Sequence, residues 1–279
     1  MTATKTNTDP WAALAAEFDA WAAAGRIADL WWRDDDAVAW GPKLERLCAL
    51  TATTGLLLAV IPARAEGGLA RASQIPHVRI AQHGYAHVNH APKGQGLGAW
   101  ELGLHRGEAR VLGELDEGRA HLQAIFGGRF LPVVVPPWNR IDPALYAPLA
   151  EHGYRGVSAF GPRADYKSGE RYDLVIANAQ CDPIKWKGGA RFAGEAKALG
   201  DLIGHLKARR TGAVDGDEPT GFLTHHIDLD EDGWAFCARL AEAVTAHPAA
   251  RWRDALDIFG HAPGDMFGHP PAEPFGAGT

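Results

Sequence analysis

Leu56-Leu57-Leu58-Ala59-Val60-Ile61 is apolar from end to end, with no polar residue at alternate positions. A strand with one wet face alternates, so a strand apolar on both faces must be covered on both, as in parallel sheets flanked by helices. Working outward, Leu30-Trp31-Trp32-Arg33 lies upstream. His77–Gln82, Phe130–Val135, Tyr154–Phe160, Asp173–Ala177 and Gly221–Thr224 lie downstream as further β-rich runs. Helical patterns separate them near Lys43–Thr53, Leu97–Phe126, Pro143–His152, Glu195–Arg210 and Glu231–Ala246. Asp142 and Pro143 suit an N-cap and first helical turn, and Gly153 suits the position past a helix end. About seven strand–helix units predict an α/β fold, either a parallel barrel or a doubly wound sheet. In both, chemistry gathers at the C-terminal ends of the strands.

The composition sets the outer limits. With 279 residues, 46% hydrophobic and 22% charged, the chain has the balance of an ordinary globular protein. It reads as a single domain over 1–279, with an amphipathic helix at 10–25 and a Pro/Gly-rich tail at 262–279. A net charge of −6 argues against a nucleic-acid partner. No apolar run approaches the roughly 20 residues of a membrane span. The N-terminal stretch around Trp11–Phe18 mixes apolar and acidic residues, unlike a signal peptide, so a cytoplasmic location is expected. Cys48, Cys181 and Cys237 are far apart and odd in number, which suits buried thiols better than disulfides or a zinc–cysteine site. A Cys181 nucleophile beside Asp182 is the one reactive alternative.

Polar clusters follow four of the strands. The first runs into Asp34-Asp35-Asp36, three carboxylates that repel one another unless a cation or an arginine offsets them. Alone, the triplet suits an acidic turn or a cap before Pro42. The third runs into His83-Gly84-Tyr85-Ala86-His87-Val88-Asn89-His90, where a helical turn would bring His83 and His87 to one face. Two imidazoles and a carboxylate suit zinc and related divalent metals, with positions left for water and substrate. The fourth ends in Pro136-Pro137-Trp138-Asn139-Arg140, a turn stiffened by its prolines. The last ends in Phe222-Leu223-Thr224-His225-His226, and Asp182-Pro183-Ile184-Lys185-Trp186 adds a carboxylate and an indole. Most of the ten tryptophans suit core packing, with Trp138 and Trp186 as the two expected site walls.

In this order the clusters resemble the polysaccharide deacetylase family, the NodB-homology hydrolases, from about Leu30 to His226. The resemblance implies a distorted parallel (β/α) barrel of about seven strands and a divalent metal, Zn2+ first. It implies Asp35 as catalytic base, Asp36, His83 and His87 as metal ligands, and His225, in Leu223-Thr224-His225, as catalytic acid. An Asp34/Asp35 register would shift the first two roles by one. Trp138 would lend its backbone N–H to an oxyanion, and Asp182, Trp186 and Arg140 would face the substrate. The implied reaction is hydrolysis of a non-peptide C–N bond, N-deacetylation of an amino sugar. A small cytoplasmic amide or ureide, and a catalytically silent carbohydrate- or metal-binding protein, are the alternatives. Three positions depart from the pattern. Val135 replaces the arginine before the proline turn, with Arg140 or Arg33 as substitutes. Lys185 replaces an acid-orienting aspartate, and Gly84 replaces a serine or threonine.

Overall fold

The computed structural model describes residues 9–94, 96, 98–163 and 173–260. The tail expected at 262–279 lies outside them. Five parallel strands build most of the sheet: β1 (Ala28–Ala37), β2 (Leu56–Val60), β3 (Val78–His83), β4 (Phe130–Val135) and β5 (Gly156–Val157). They lie side by side in chain order. The run that follows contains β6 (Val175–Ile176), paired with β5, and β7 (Ala179–Cys181). A two-stranded antiparallel flap, β8 (Ile184–Lys185) and β9 (Arg191–Phe192), comes next. β10 (Thr220–Thr224) then lies between β7 and β1. β6 and β7 stand at opposite ends of the eight-strand path yet belong to one continuous stretch, so the parallel sheet curls into a distorted barrel. β11 (Ala250–Trp252) adds to the N-terminal end of β1.

Strand periodicity divides the core into an inner and an outer layer. On β1, Leu30 and Trp32 join the outer core, whereas Trp31 joins the cluster inside the barrel. On β2, Leu56, Leu58 and Val60 point out, and Leu57 and Ala59 point in. The doubly apolar run that decided the fold is thus covered on both faces. The outer layer is roofed by α1 (Pro10–Ala23), α2 (Pro42–Leu50), α5 (Glu195–Thr211) and α6 (Glu231–Ala246). Ala198, Leu199, Leu202 and Leu206 make the buried stripe of α5 at helical spacing. Two further helices, α3 (Glu108–Phe126) and α4 (Tyr146–Glu151), cover β4 and β5. The last, α7 (Ala255–Phe259), sends Phe259 into the interior, 5.7 Å from Trp31 between ring centroids.

Two local expectations need correction. β1 continues to Ala37, so Asp34, Asp35 and Asp36 lie in the strand and not in an acidic turn or helix cap. The helix expected from Leu97 begins only at Glu108, because Gly103 and Gly107 interrupt the pattern and Gly107 takes φ +84°. No helix among the described residues is long and apolar enough to cross a membrane.

Candidate metal and hydrolase site

At the C-terminal mouth of the barrel, a cavity of about 380 Å³ is lined by Asp35, Asp36, His83, His87, Trp138, Asn139, Phe160, Asp182, Trp186 and His225. Alternation along β1 puts Arg33 and Asp35 on the inner face and Asp34 on the outer one. Asp36 would follow Asp34 outward. Instead it takes φ +68°, and the register with β2 shifts between Asp34 and Ala37. This irregularity re-aims the strand end, so adjacent carboxylates both reach the cavity. Asp34 is committed elsewhere, with its carboxylate accepting from Thr224 Oγ1 at 2.6 Å and His226 N at 2.9 Å. It also lies 2.5 Å from His226 Nδ1.

Asp36 Oδ1 lies 3.1 Å from His83 Nε2 and 3.3 Å from His87 Nε2, yet it is buried without a well-directed hydrogen bond among the described residues. His83 Nδ1 sits 2.9 Å from Val135 O. A carbonyl only accepts, so Nδ1 carries the proton and the lone pair of neutral His83 faces Asp36. One ligand atom from each of Asp36, His83 and His87 fits within a 4.8 Å set. Electron-rich atoms converging on one point suit a divalent cation, and the donor set passes that test. Burial opposes ionisation of Asp36, but contact with His83 and the charges of His83, His225 and His87 hold its carboxyl well below the usual range. Burial likewise opposes protonation of His83, which the charges of Asp35 and Asp36 outweigh, raising it. Burial and the neighbouring His83 push His87 down. His87 is therefore the more readily neutral imidazole, and a cation held by Asp36 and His83 would compete with protonation of His83.

The helical turn expected for His83–His87 is not formed. The chain bends, with Gly84 at φ +56° and His87 at φ +57°. The two imidazoles still meet at 5.0 Å between centroids, and the tilted Trp138 ring packs against His87 at 4.3 Å. Trp138 itself is left-handed, at φ +53°. Across the cavity, Asp182 accepts from Ile184 N at 2.9 Å and from Trp186 Nε1 at 2.8 Å. The Trp186 ring meets His225 edge-on at 4.7 Å. Burial raises the Asp182 carboxyl, and the charge of Asp35 adds to it despite His225. His225 Nδ1 is buried and has no hydrogen-bond partner among the described residues. Lys185 is exposed.

Of the two substitutes expected for an arginine at Val135, Arg33 is the one that reaches Asp35. It is fully buried, and it donates to Ser158 O, Ser158 Oγ and Ala159 O from one nitrogen. Another donates to Asp35 Oδ2 at 3.1 Å and Asn139 Oδ1 at 2.5 Å. Its Nε is 3.0 Å from Asp35 Oδ1, a charge contact off the hydrogen-bond direction. Arg140, the other proposed substitute and an expected substrate contact, does not line the cavity. Its guanidinium reaches Ala99 O at 3.4 Å. Cys181 is excluded as a nucleophile of this site, since it packs in the outer core and donates to Ala198 O while burial holds its thiol far above the usual range.

Three contributors went unread in the sequence. Phe160 ends a predicted strand and could have been found by its position. Asn139 sits inside the proline turn but was not singled out. Glu101, whose carboxylate accepts from Tyr85 N, Ala86 N and Val88 N in the histidine loop, falls within the over-extended helix.

The fold is that of the NodB-homology polysaccharide deacetylases. A Mycobacterium smegmatis protein assigned as a polysaccharide deacetylase superposes with a TM-score of 0.61 at 17% identity, over 87% of this chain and 92% of its own. A peptidoglycan N-acetylglucosamine deacetylase gives a TM-score of 0.50 at 12% identity, over 85% and 90%. No family model and no curated protein sequence matches the chain.

Proposed function

We propose that the protein is a metal-dependent hydrolase of a non-peptide C–N bond, acting as an N-deacetylase on an amino sugar or related carbohydrate. The observation that carries this reading is the convergence of Asp36, His83 and His87 in a cavity that Asp35 and His225 also line. Asp36, His83 and His87 would hold a divalent cation, Zn2+ first, which supplies Lewis acidity at the scissile carbonyl and acidifies the attacking water. Asp35, fixed by Arg33, accepts the water proton as the C–O bond forms. The Trp138 backbone N–H supports the oxyanion, a role worth about 3 kcal/mol for one well-placed donor. His225 then protonates the nitrogen as the C–N bond breaks, yielding acetate and an amine. Asp182 holds the indole of Trp186 beside His225, and Trp138, Phe160 and Trp186, all partly exposed, offer faces on which a sugar ring can stack.

The reading is tested by acetate release from N-acetylated amino-sugar oligomers, run beside ammonia release from small amides and ureides. Asp35→Asn is expected to bind metal like the parent and to lose about 10²–10⁴-fold in kcat. Near-parental turnover would remove Asp35 as the base. Ammonia release alone would replace the sugar with a small amide.

A further inference from the structure

Behind the histidine loop lies a carboxylate to which the reaction assigns nothing. Glu101 is fully buried, and its only carboxylate partners among the described residues are backbone N–H groups. Oε2 accepts from Tyr85 N at 3.2 Å, and Oε1 accepts from Ala86 N at 2.8 Å and Val88 N at 3.4 Å. Ala86 and Val88 are the residues on either side of His87. One oxygen therefore grips the chain before and after a ligand residue held at φ +57°, a conformation that a side chain with a Cβ rarely adopts unaided. Glu101 is itself anchored. Arg106 donates to its carbonyl at 3.3 Å, Leu102 bridges to Ile141, and Asp142 N donates to Leu102 O at 3.0 Å.

Gly84 gives independent support. A Cβ there would run into the Glu101 carboxylate and the ring of Pro137. The glycine at this position thus makes room for a buried carboxylate pressed against the loop.

We infer that Glu101 is a positioning residue of the metal site, fixing His87 for the ion through the loop backbone without touching the ion itself. This rests on the proposed reading of Asp36, His83 and His87 as ligands. It assigns the backbone of 85–88 the role that hydrogen-bond partners usually play on the ligand ring itself.

The test is Co2+ and Zn2+ affinity of the metal-free full-length protein, with the visible spectrum of bound Co2+ as a second readout. Glu101→Ala is expected to weaken both metals about 10–100-fold and to alter the Co2+ spectrum. Glu101→Gln keeps the size and one acceptor oxygen, and is expected to fall between parent and alanine. If the alanine variant does not fold, glutamine carries the test alone. A purely structural Glu101 would lower the melting temperature of the metal-free protein yet leave the affinity of the folded fraction and the spectrum unchanged. Affinities within twofold of the parent would overturn the inference while leaving the metal site standing. Failure of the parent to bind either metal would overturn the reading of the site, and this inference with it.

Discussion

Replacing Arg33 by methionine removes the only guanidinium paired with Asp35 among the described residues while roughly keeping the side chain's length. Both partners are buried, at 0% and 1% exposure, so Asp35 is left as a charge that no protein group pairs with. Breaking a buried pair in this way costs about 3–5 kcal/mol. Ser158, Ala159 and Asn139 lose a donor as well, but Asp35 and Asn139 border the cavity and can recruit water, which favours the lower end. About 3 kcal/mol is a large share of the roughly 5–15 kcal/mol by which a domain is stable. With a urea m-value of about 1–3 kcal/mol/M, the unfolding midpoint should fall by about 1 M or more. Arg33→Lys keeps the charge but cannot reach Ser158 and Asn139 together, so an intermediate loss of about 1–3 kcal/mol is expected. The decisive measurement is the double variant Arg33→Met/Asp35→Asn. If the penalty is an uncompensated charge, removing that charge restores most of the stability, and the two substitutions are strongly non-additive. A double variant no more stable than Arg33→Met would refute the reasoning and make Arg33 a filler of the barrel interior.

Two further predictions concern the frame around the site. Burial opposes protonation of His226, but the charge and hydrogen bond of Asp34 raise it above the ordinary 6.5. A raised folded-state value gives stability that is complete below the unfolded value and is lost as pH rises through the folded one. Urea midpoints should therefore fall on going upward from pH 6.5, and His226→Gln should flatten that fall; equal slopes would exclude the pair as its source. Gly221 sits where β10 passes between β1 and β7, and an added Cβ would meet Ala179 Cα at 2.7 Å and Trp31 Nε1 at 2.8 Å. Gly221→Ala should lose about 1–3 kcal/mol in chemical unfolding, because backbone cannot step aside as a flexible side chain can. A neutral result would mean that the barrel closes more loosely at this point.

The sequence by itself determined the strand–helix alternation and the placement of polar residues at strand ends. Both follow from local rules, since burial on two faces demands a doubly apolar run such as Leu56–Ile61 and strand ends demand polar residues. It also marked His83, His87, Asp35, Asp36 and His225 as candidates, all of which line one cavity. What it could not determine is how each carboxylate of the triplet is used. Alternation sends Asp34 outward to His226, but Asp36 joins Asp35 only through a left-handed backbone and a register shift against β2. Nor could it decide between Arg33 and Arg140 as the partner of Asp35, or set Glu101 behind the histidine loop. Arg33 meets Ser158 across 125 positions, and Glu101 meets Tyr85 across 16. Periodicity tells a residue which face it occupies. Its partner on that face is chosen only when the barrel closes and a buried charge must find its counterpart.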